Sequence, residues 1–360
     1  MSNLDLQNKT DLKKYTTDSK VNHFSAKEDH NTKLARILGK KFADYRERWN
    51  KVNKFELITD FPLFLHVELN QKCNYECPHC IIGDANLTNS MFNEKENIGF
   101  EQYKKICDEG SEHGCPSISP QGNNEPYLNK NIEDYFYYAH KKGFIDIMIN
   151  NNASALTDRR IRKTLDSGIT RIRFSLDAFS PEIYKKVRVG SLPLAKVEKN
   201  IHRFLELKEK GGYKLPVTGV SFCVLSTNEH EKEKFIDKWK DVVDQVSIQT
   251  FMPPKFDKKY DYYKKYYVKS QFKDEPVKSF RCVQPFQRVV IRNQNITPCC
   301  ANDGVDLSIG DLRFTSIYEA WNSKVMTNLR KLHFNNNFKD NPICNACVKA
   351  IYPSTDLMLS

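Results

Sequence analysis

The stretch HVELNQKCNYECPHC, residues 66–80, places three cysteines close together directly after an apolar run. Cys73 and Cys77 are separated by three residues, and Cys77 and Cys80 by two. A structural zinc site requires four ligands, and a fourth cysteine is missing from this stretch. Iron–sulfur clusters are also held by closely spaced thiolates, and three thiolates would leave one iron of a cubane cluster open to another ligand.

Length and composition limit the classes of protein that the chain can represent. Its 360 residues suffice for one large domain and a smaller one, or for two of medium size. No apolar run approaches the roughly 20 residues of a membrane-spanning helix, and the polar N-terminus lacks the apolar segment of a signal peptide. We therefore expect a cytoplasmic protein that does not bind membranes. In that reducing compartment, eleven cysteines are better suited to metal binding or catalysis than to disulfides.

The net charge of +11 has two interpretations. It indicates anionic partners or a lysine-rich solvated surface, because charge informs about steering and solubility rather than identity. Residues 251–281 are rich in Tyr and Lys, which could stack on bases and neutralise phosphates. The simpler interpretation of this segment is a basic linker that lies over the neighbouring domain. We therefore do not expect nucleic acid to be the partner.

Short apolar runs alternate with helical patterns from residue 61 to 250. The predicted strands are 62–69, 116–119, 144–150, 171–177, 217–225 and 245–251. Repeated strand–helix units predict parallel strands with right-handed crossovers, in either a doubly wound sheet or an open barrel. In both architectures the active site lies at the C-terminal ends of the strands.

The N-terminal region contains two predicted segments. Residues 1–30 are polar and lack apolar periodicity, which predicts a disordered tail. In residues 31–60, apolar side chains recur at three- and four-residue steps, which predicts an amphipathic helix. These side chains are Leu34, Leu38, Phe42, Tyr45 and Trp49.

The three-cysteine stretch resembles the cluster loop of the radical S-adenosylmethionine (SAM) superfamily, whose signature is Cys-x3-Cys-x-aromatic-Cys, with His79 at the aromatic position. The resemblance covers residues 61–250 and implies a partial (β/α)6 TIM-like barrel. It also implies that the three cysteines ligate a 4Fe-4S cluster whose open iron binds the amino and carboxylate groups of SAM. Reductive cleavage of SAM would then yield a 5′-deoxyadenosyl radical that takes a hydrogen atom from the substrate.

Further landmarks of the family follow later strands. After the second strand, Gly122, Asn124 and Glu125 resemble the GxGEP segment that contacts the amino group of SAM, with Asn124 replacing a glycine because it tolerates positive φ. FSLD at the end of the fourth strand resembles the SxD segment, which would place Ser175 near the SAM ribose. Arg188, in a Tyr-x3-Arg run, would lie near the SAM carboxylate. Each residue also has an ordinary role, such as a helix cap or a surface charge, but their order favours the family.

A second group of cysteines lies near the C-terminus, and its spacing alone favours a zinc ribbon. It resembles, however, the SPASM/twitch extension of radical SAM enzymes over residues 282–360. Asp303, Gly310, Asp311, Trp321, Asn322 and Arg330 fit that pattern, and Asn295 replaces a glycine. The resemblance implies one auxiliary 4Fe-4S cluster. Its ligands would be Cys282, Cys299, Cys344 and Cys347, with Cys300 as the alternative to Cys299.

The resemblance implies an oxidoreductase in which the auxiliary cluster accepts an electron from the substrate or has a structural role. A flavodoxin- or ferredoxin-like protein would donate the first electron. The run YRERW followed by FPLFLHVE resembles relatives from carbohydrate or natural-product pathways, so we expect a sugar-like or natural-product substrate. A peptide or protein side chain is the alternative substrate. A zinc-containing nucleic-acid-binding protein is the alternative of another class.

Overall fold

One sheet runs through the computed structural model, which describes residues 21–24, 28–91, 97–272, 279–301 and 306–352. Within these ranges the strands are β1 (Val21–Phe24), β2 (Phe64–Val67), β3 (Ser117–Ser119), β4 (Asp146–Asn151), β5 (Arg171–Ser175), β6 (Val217–Val224), β7 (Gln245–Thr250), β8 (Arg288–Arg292), β9 (Asn295–Thr297) and β10 (Gly310–Asp311). They lie side by side in the order β1-β7-β6-β5-β4-β3-β2-β8-β9-β10.

Helices connect most of these strands. They are α1 (His30–Leu38), α2 (Lys40–Asn53), α3 (Ala85–Met91), α4 (Phe100–Glu112), α5 (Ile132–Lys141), α6 (Asp158–Asp166), α7 (Pro181–Val187), α8 (Leu194–Lys210), α9 (Lys232–Trp239), α10 (Gln284–Gln287), α11 (Ile317–Trp321), α12 (Lys324–Phe334) and α13 (Pro342–Ile351). In the described ranges, no helix has the length and apolar character needed to cross a bilayer.

Strands β2 to β7 form the predicted parallel array. Each pairs in parallel with the next in chain order, and helices occupy every connection between them. This sequential order excludes a doubly wound sheet, in which the strand order reverses. Strand β2 pairs with β3 and β8 rather than with β7, so the array stays open. The predicted partial barrel of six β/α units is therefore confirmed.

The strands of the array separate an apolar outer face from an inner face that carries several polar side chains. Ile118 and Phe174 are fully buried in the main hydrophobic core with the helices. Their neighbours along the strands alternate to the opposite face, where His66, Ser119 and Arg173 line a cavity. The interior of the barrel therefore combines these polar groups with apolar side chains such as Met148 and Phe251.

The predicted single amphipathic helix over residues 31–60 is two helices, α1 and α2. Gly39 divides them because it adopts a left-handed φ of 73°, which a continuous helix does not allow. Leu34 and Phe42 are buried, as expected, and pack in a second core with Phe64. Because Phe64 begins β2, this core covers N-terminal strand ends and leaves the C-terminal ends free.

The prediction of a disordered tail over residues 1–30 is wrong for part of that range. Val21–Phe24 form β1, which pairs antiparallel with β7. Strand β7 ends the parallel array, so its outer edge offers unpaired backbone groups to another strand. Residues 1–20 and 25–27 lie outside the described residues.

The basic segment 251–281 contains two 3-10 helices, Lys258–Tyr266 and Lys269–Phe272. Tyr263 and Tyr266 are buried in the main hydrophobic core. The segment therefore lies against the barrel, as the simpler interpretation predicts. Residues 273–278 lie outside the described residues.

The C-terminal cysteine-rich region extends the sheet of the core. Strand β8 pairs in parallel with β2 and antiparallel with β9. Asn293 and Gln294 form the turn with φ angles of 47° and 66°, as a type I′ hairpin requires. Residues 302–305 and 353–360, and with them Asp303, lie outside the described residues.

Candidate active site

The three cysteines of residues 66–80 lie in the loop that leaves the C-terminal end of β2. The loop ends in the short 3-10 turn Ile81–Gly83. The N–H of Tyr75 lies 3.4 Å from Sγ of Cys73, and the N–H of Cys80 donates to the carbonyl of Cys77 at 2.9 Å. The loop is therefore folded back on itself, with its thiols on one side of the barrel mouth.

Burial raises the pKa of all three thiols. The pKa of Cys73 rises to about 11 and that of Cys77 to about 12, and the pKa of Cys80 rises as well. Each of the first two pKa values is raised further by the charge of Cys80, so the thiols lie within electrostatic reach of one another. The positive charge of Arg188 opposes the rise in pKa at each of these three cysteines. A ligand that binds thiolates must offset this burial, as the soft metal ions of iron–sulfur clusters do.

Two glycines allow the close packing around this loop. A Cβ atom on Gly83 would lie 2.7 Å from the carbonyl carbon of Cys77 and still closer to its oxygen. A Cβ atom on Gly122 would lie 2.6 Å from Cβ of Glu68. Real Cβ contacts do not come this close, so both positions exclude larger residues. The family landmark predicted Gly122, whereas the sequence gives no local signal for Gly83.

Glu125 connects three loops at the C-terminal ends of neighbouring strands. Its Oε1 accepts the N–H of Tyr127 at 3.0 Å, and its Oε2 accepts the N–H of Asn152 at 2.6 Å. Its own N–H donates to the carbonyl of Lys72 in the cysteine loop at 2.8 Å. Burial raises the pKa of Glu125 to about 7, against the opposing effects of the two N–H groups and Arg188.

Asn124 does not take the left-handed conformation expected of a residue that replaces glycine. The residues with positive φ in the described chain do not include it. Its Oδ1 instead accepts the N–H of Gly122, two residues earlier in the loop, at 2.9 Å. The expectation about φ is therefore wrong, and the polar side chain shapes the loop.

Asp177, the last residue of FSLD, lies at the centre of the charged groups of the site. Its Oδ2 lies 2.6 Å from Nη2 of Arg188 and 3.5 Å from Nε2 of His79. Its Oδ1 accepts the N–H of Cys223 at 2.8 Å. Burial favours the neutral acid, but Arg188 and His79 outweigh it and lower the pKa of Asp177. Sequence reasoning quoted this residue within the SxD segment and gave it no site role.

The backbone at Asp177 is strained, because its φ of 59° lies in the left-handed region. Such a conformation persists where surrounding contacts hold it, often at functional sites. Here the ion pair with Arg188 holds the side chain. Nη1 of the same arginine lies 3.8 Å from Sγ of Cys77, which links Asp177 to the cysteine loop.

Several buried polar atoms around the cysteine loop have no hydrogen-bond partner within the described part of the chain. They are Nε of Arg188, Nδ1 of His79 and Nδ2 of Asn124. Buried polar atoms without partners are rare in folded proteins, and a polar ligand removes the penalty. The hydroxyl of Ser175 makes only a long contact of 3.5 Å with that of Ser221. These groups fit a cofactor that carries amino, carboxylate and hydroxyl groups, as SAM does.

The five C-terminal cysteines form a second group between the β8–β9 hairpin, α12 and α13. All five line one cavity. Burial raises the pKa of Cys347, and the charges of Cys282, Cys299, Cys344 and Cys300 raise it further. Four or five thiols are therefore close enough to hold a closed iron–sulfur cluster.

Gln284 distinguishes Cys300 from Cys299. Its Nε2 donates to Sγ of Cys300 at 3.3 Å, and its Oε1 accepts the N–H of Cys300 at 2.8 Å. Cys299 has a larger effect than Cys300 on the pKa of Cys282, which burial raises. This geometry favours Cys299 as the fourth ligand and gives Cys300 a different partner.

His333 also belongs to this second group, although sequence reasoning missed it. Its Nδ1 accepts the N–H of Cys282 at 3.3 Å, and its Nε2 lies 3.4 Å from Sγ of Cys344. Burial lowers its pKa to about 4, so the ring is neutral at neutral pH. A lone histidine on α12 gives no signal in the sequence, because only the fold brings it to the cysteines.

No three His, Cys, Asp or Glu side chains in the described ranges converge on a position for a single metal ion. A cubane cluster does not require such convergence, because each thiolate binds a different iron atom.

Two other residues that fit the C-terminal pattern, Trp321 and Asn322, join this region to the core. Nε1 of Trp321 donates to the carbonyl of Thr59 at 2.7 Å, and Asn322 donates to the next carbonyl at 3.0 Å. Nε of Arg330 donates to the carbonyl of Pro285 at 2.9 Å, and its guanidinium lies 4.0 Å from the Trp321 ring. Trp321 and Asn322 therefore dock the domain on the core, whereas Arg330 packs within the domain.

Comparison with known proteins defines the class. Residues 67–239 match the model of the radical SAM superfamily, and residues 282–348 match the SPASM iron–sulfur cluster-binding domain. The chain belongs to the radical SAM superfamily and carries a C-terminal SPASM domain. Its cofactors are a 4Fe-4S cluster and SAM in the core, with auxiliary iron–sulfur binding in the SPASM domain. These matches do not support a zinc-containing nucleic-acid-binding protein.

Two curated relatives illustrate the similarity. A probable GTP 3′,8-cyclase of Methanocaldococcus jannaschii is 25% identical over 211 residues, which cover 59% of this chain and 66% of the cyclase. A tungsten-containing aldehyde ferredoxin oxidoreductase cofactor-modifying protein of Pyrococcus furiosus is 23% identical over 166 residues, 46% of this chain and 44% of that protein. The chain therefore matches less than two thirds of the length of either relative.

Solved structures share the fold. SuiB of Streptococcus suis has a TM-score of 0.58 at 14% identity, covering 83% of this chain and 77% of SuiB. anSMEcpe with bound AdoMet has a TM-score of 0.54 at 13% identity, covering 80% of this chain and 88% of that one. At these identities the likeness supports a common architecture and no particular substrate.

Proposed function

We propose that this chain is a radical SAM oxidoreductase that acts on a sugar-like or natural-product substrate. In the chemistry of the family, one electron from a reduced cluster splits SAM into methionine and a 5′-deoxyadenosyl radical, which removes a hydrogen atom from the substrate. Cys73, Cys77 and Cys80 would ligate that cluster and leave one iron for SAM. A flavodoxin- or ferredoxin-like protein would supply the electron.

The observation that carries the proposal is a single cavity of about 510 Å³ inside the barrel. Gln121 and Asn150 line one part of it. Gln121 precedes the loop that contains Glu125, and Asn150 precedes the loop whose Asn152 donates to Glu125. The five cysteines of the SPASM domain line the cavity elsewhere. The volume lies in the range typical of small-molecule pockets. A small substrate in this cavity would lie between the two cysteine groups, which supports electron transfer to the second one.

The side chains around the SAM site have distinct proposed tasks. Glu125 fixes the backbone that would contact the SAM amino group, and Asp177 fixes the guanidinium of Arg188. The unpaired Nε of Arg188 would then donate to the SAM carboxylate. Ser175 would contact the ribose and His79 would flank the cluster. Burial of these groups excludes water from the place where a radical would form.

Metal content and SAM cleavage test the proposal directly. Protein purified and reconstituted without oxygen should contain about eight irons, from two four-iron clusters, and should form 5′-deoxyadenosine when reduced with dithionite. Cys73→Ala should remove about half of the iron and abolish 5′-deoxyadenosine. Protein that carries zinc with little iron, or that forms no 5′-deoxyadenosine, contradicts the proposal.

A matched pair of variants tests the second site. Cys299→Ala should lose the auxiliary iron and retain cleavage of SAM, whereas Cys300→Ala should retain all of the iron. The reverse result would make Cys300 the ligand. Oxidation of the substrate is tested by mass spectrometry with candidate sugar-like compounds, because loss of two hydrogens lowers the mass by two units. A product of unchanged mass contradicts the assignment as an oxidoreductase.

A further inference from the structure

The cavity inside the barrel has a cationic wall. Arg171 and Arg173 project into it from β5, and Arg288 enters it from the start of β8. None of the described residues that line the cavity is an aspartate or a glutamate. The cavity therefore differs from a neutral sugar pocket, whose wall would carry mainly hydroxyl, amide and carboxylate groups.

The three arginines differ in what neutralises them. Arg171 is satisfied, because its Nε lies 2.7 Å and its Nη2 3.1 Å from the carboxylate of Asp146. Arg173 has no carboxylate partner among the described residues, and its Nη2 lies 3.5 Å from Oε1 of Gln245. A distance of 3.5 Å makes this a weak hydrogen bond. Arg173 is therefore a cation without a counter-charge.

Arg288 is held by aromatic rings rather than by an acid. Its guanidinium lies 5.6 Å from the ring centre of Trp49 and 5.2 Å from that of Phe64. Its Nε is buried without a partner in the described part of the chain. It adds positive charge to the cavity, but its stacking fixes it at the N-terminal end of the strands.

Arg173 stays charged in spite of its surroundings. Burial, followed by the neighbouring charge of Arg171, lowers its pKa to about 10, so it is protonated at neutral pH. Two neighbouring groups offer further hydrogen bonds. Nε2 of Gln245 is buried without a partner in the described ranges, and so is Nε2 of His66. Burial lowers the pKa of His66 to about 3, so its ring contributes no charge.

A role as a counter-charge for the second cluster explains Arg173 poorly. In the described ranges, the one side-chain hydrogen bond of Arg173 is the contact with Gln245, and none joins its guanidinium to a cysteine. The charge of Arg173 is therefore left for a ligand in the cavity.

We infer that the substrate carries a carboxylate or a phosphate group, which Arg173 binds inside the barrel with Gln245 as a second donor. The inference rests on the proposed function, because it assigns the substrate class of the same site. A guanidinium presents a planar fork of N–H groups that matches two oxygens of either anion. Arg173 lies two residues before Ser175, which is about 7 Å along the strand. Binding there would turn the rest of the substrate towards the cysteine loop.

Anion binding to the reconstituted holoenzyme with SAM tests the inference. Inorganic phosphate and succinate are titrated separately by calorimetry without oxygen, up to about 20 mM, to distinguish the two kinds of anion. The variants are Arg173→Gln, Arg173→Lys and Gln245→Leu. Arg203→Gln is the matched control, because Arg203 pairs with Asp158 and Glu206 on the outer helices. Iron content and circular dichroism report whether each variant folds.

Wild-type enzyme should bind at least one probe, and the tighter probe identifies the anion. Arg173→Gln should weaken binding by at least about tenfold, as expected for loss of a charge-assisted contact. Arg173→Lys should fall between Arg173→Gln and wild type because it keeps the charge and loses the fork. Arg203→Gln should bind like wild type. If Arg173→Gln does not fold, Arg173→Lys and Gln245→Leu decide by the same criterion.

Two results overturn the inference. In the first, neither probe binds to wild-type enzyme. In the second, the Arg173 and Gln245 variants bind the probes as tightly as wild type does. The second result counts against the inference even if the reduction potential of the auxiliary cluster shifts in these variants. Formation of 5′-deoxyadenosine separates this inference from the proposed function. Wild type that cleaves SAM while its Arg173 variants keep full anion affinity disproves the anion site alone. Wild type that binds anions through Arg173 and cleaves no SAM disproves the proposed function alone.

Discussion

Replacement of Gly83 by alanine perturbs the cysteine loop without removing any functional group. The added Cβ would lie 2.7 Å from the carbonyl carbon of Cys77. Ordinary contacts begin near 3.4 Å, so the two atoms must separate by about 0.7 Å, and the carbonyl oxygen by more. The obstacle is backbone, which cannot rotate away. The strain of such overpacking typically costs about 1–3 kcal/mol.

This displacement matters because Cys77 lies between Cys73 and Cys80 in the loop. Metal–ligand distances tolerate deviations of only about 0.2 Å, and a misplacement of about 1 Å in an active site can cost about a hundredfold in rate. Gly83→Ala should therefore lose most of the iron of the core cluster. We expect formation of 5′-deoxyadenosine to fall by about tenfold to a hundredfold.

The assay compares Gly83→Ala with Gly99→Ala after identical anaerobic reconstitution. Gly99 is the matched control, because a Cβ there meets nothing within 4 Å and its φ of −72° suits alanine. Iron per chain and the initial rate of 5′-deoxyadenosine formation are measured for both. If Gly83→Ala keeps the iron content and rate of the control, the loop relaxes freely and the packing argument is wrong.

Three further predictions concern charge, pH and docking. Because burial raises the pKa of Glu125 to about 7, the carboxylate that holds its loops becomes protonated as the pH falls. SAM affinity measured by calorimetry should therefore drop about tenfold from pH 8 to pH 6; a flat profile, or the same slope in Glu125→Gln, argues against this. Asp177→Asn leaves Arg188 buried without its carboxylate and should lower the free energy of unfolding by about 3 kcal/mol, and a loss below about 1 kcal/mol in anaerobic urea titration would contradict the central role of the pair. Trp321→Phe keeps an aromatic six-membered ring, removes the N–H that donates to the carbonyl of Thr59 and leaves a small cavity at a fully buried position, so it should cost at least about 1–2 kcal/mol in the same titration; no measurable loss would mean that this hydrogen bond does not dock the domain.

Local patterns in the sequence predicted the elements that local forces determine. The alternation of apolar runs and helical patterns predicted all six parallel strands. Cysteine spacing predicted both thiol groups, because nearby residues in a loop remain near one another in the fold. The break at Gly39 was missed because apolar periodicity continues across it, and only its positive φ divides the helix.

Interactions between distant segments could not be predicted in this way. Strand β1 was assigned to a disordered tail, because pairing with β7 depends on an open sheet edge more than 200 residues away. His333 and Arg173 carry no signal in the sequence. Only the fold brings His333 to the cysteines, and only the fold leaves Arg173 without a carboxylate partner among the described residues. The motif in the sequence contained Asp177, but its ion pair with Arg188 could not be predicted, because only the fold brings the two loops together.

The two cysteine groups differ both in their number of thiols and in the charged side chains around them. At the first group, Arg188 brings a permanent cation whose Nε lacks a partner in the described ranges, and three thiols leave an iron open. A site of this kind suits a ligand with its own carboxylate. At the second group, the nearest polar ring, His333, is neutral, and both of its nitrogens already face backbone or thiol. That group offers enough thiols to close a cluster and leave no open iron for SAM, which agrees with the proposed role in electron transfer.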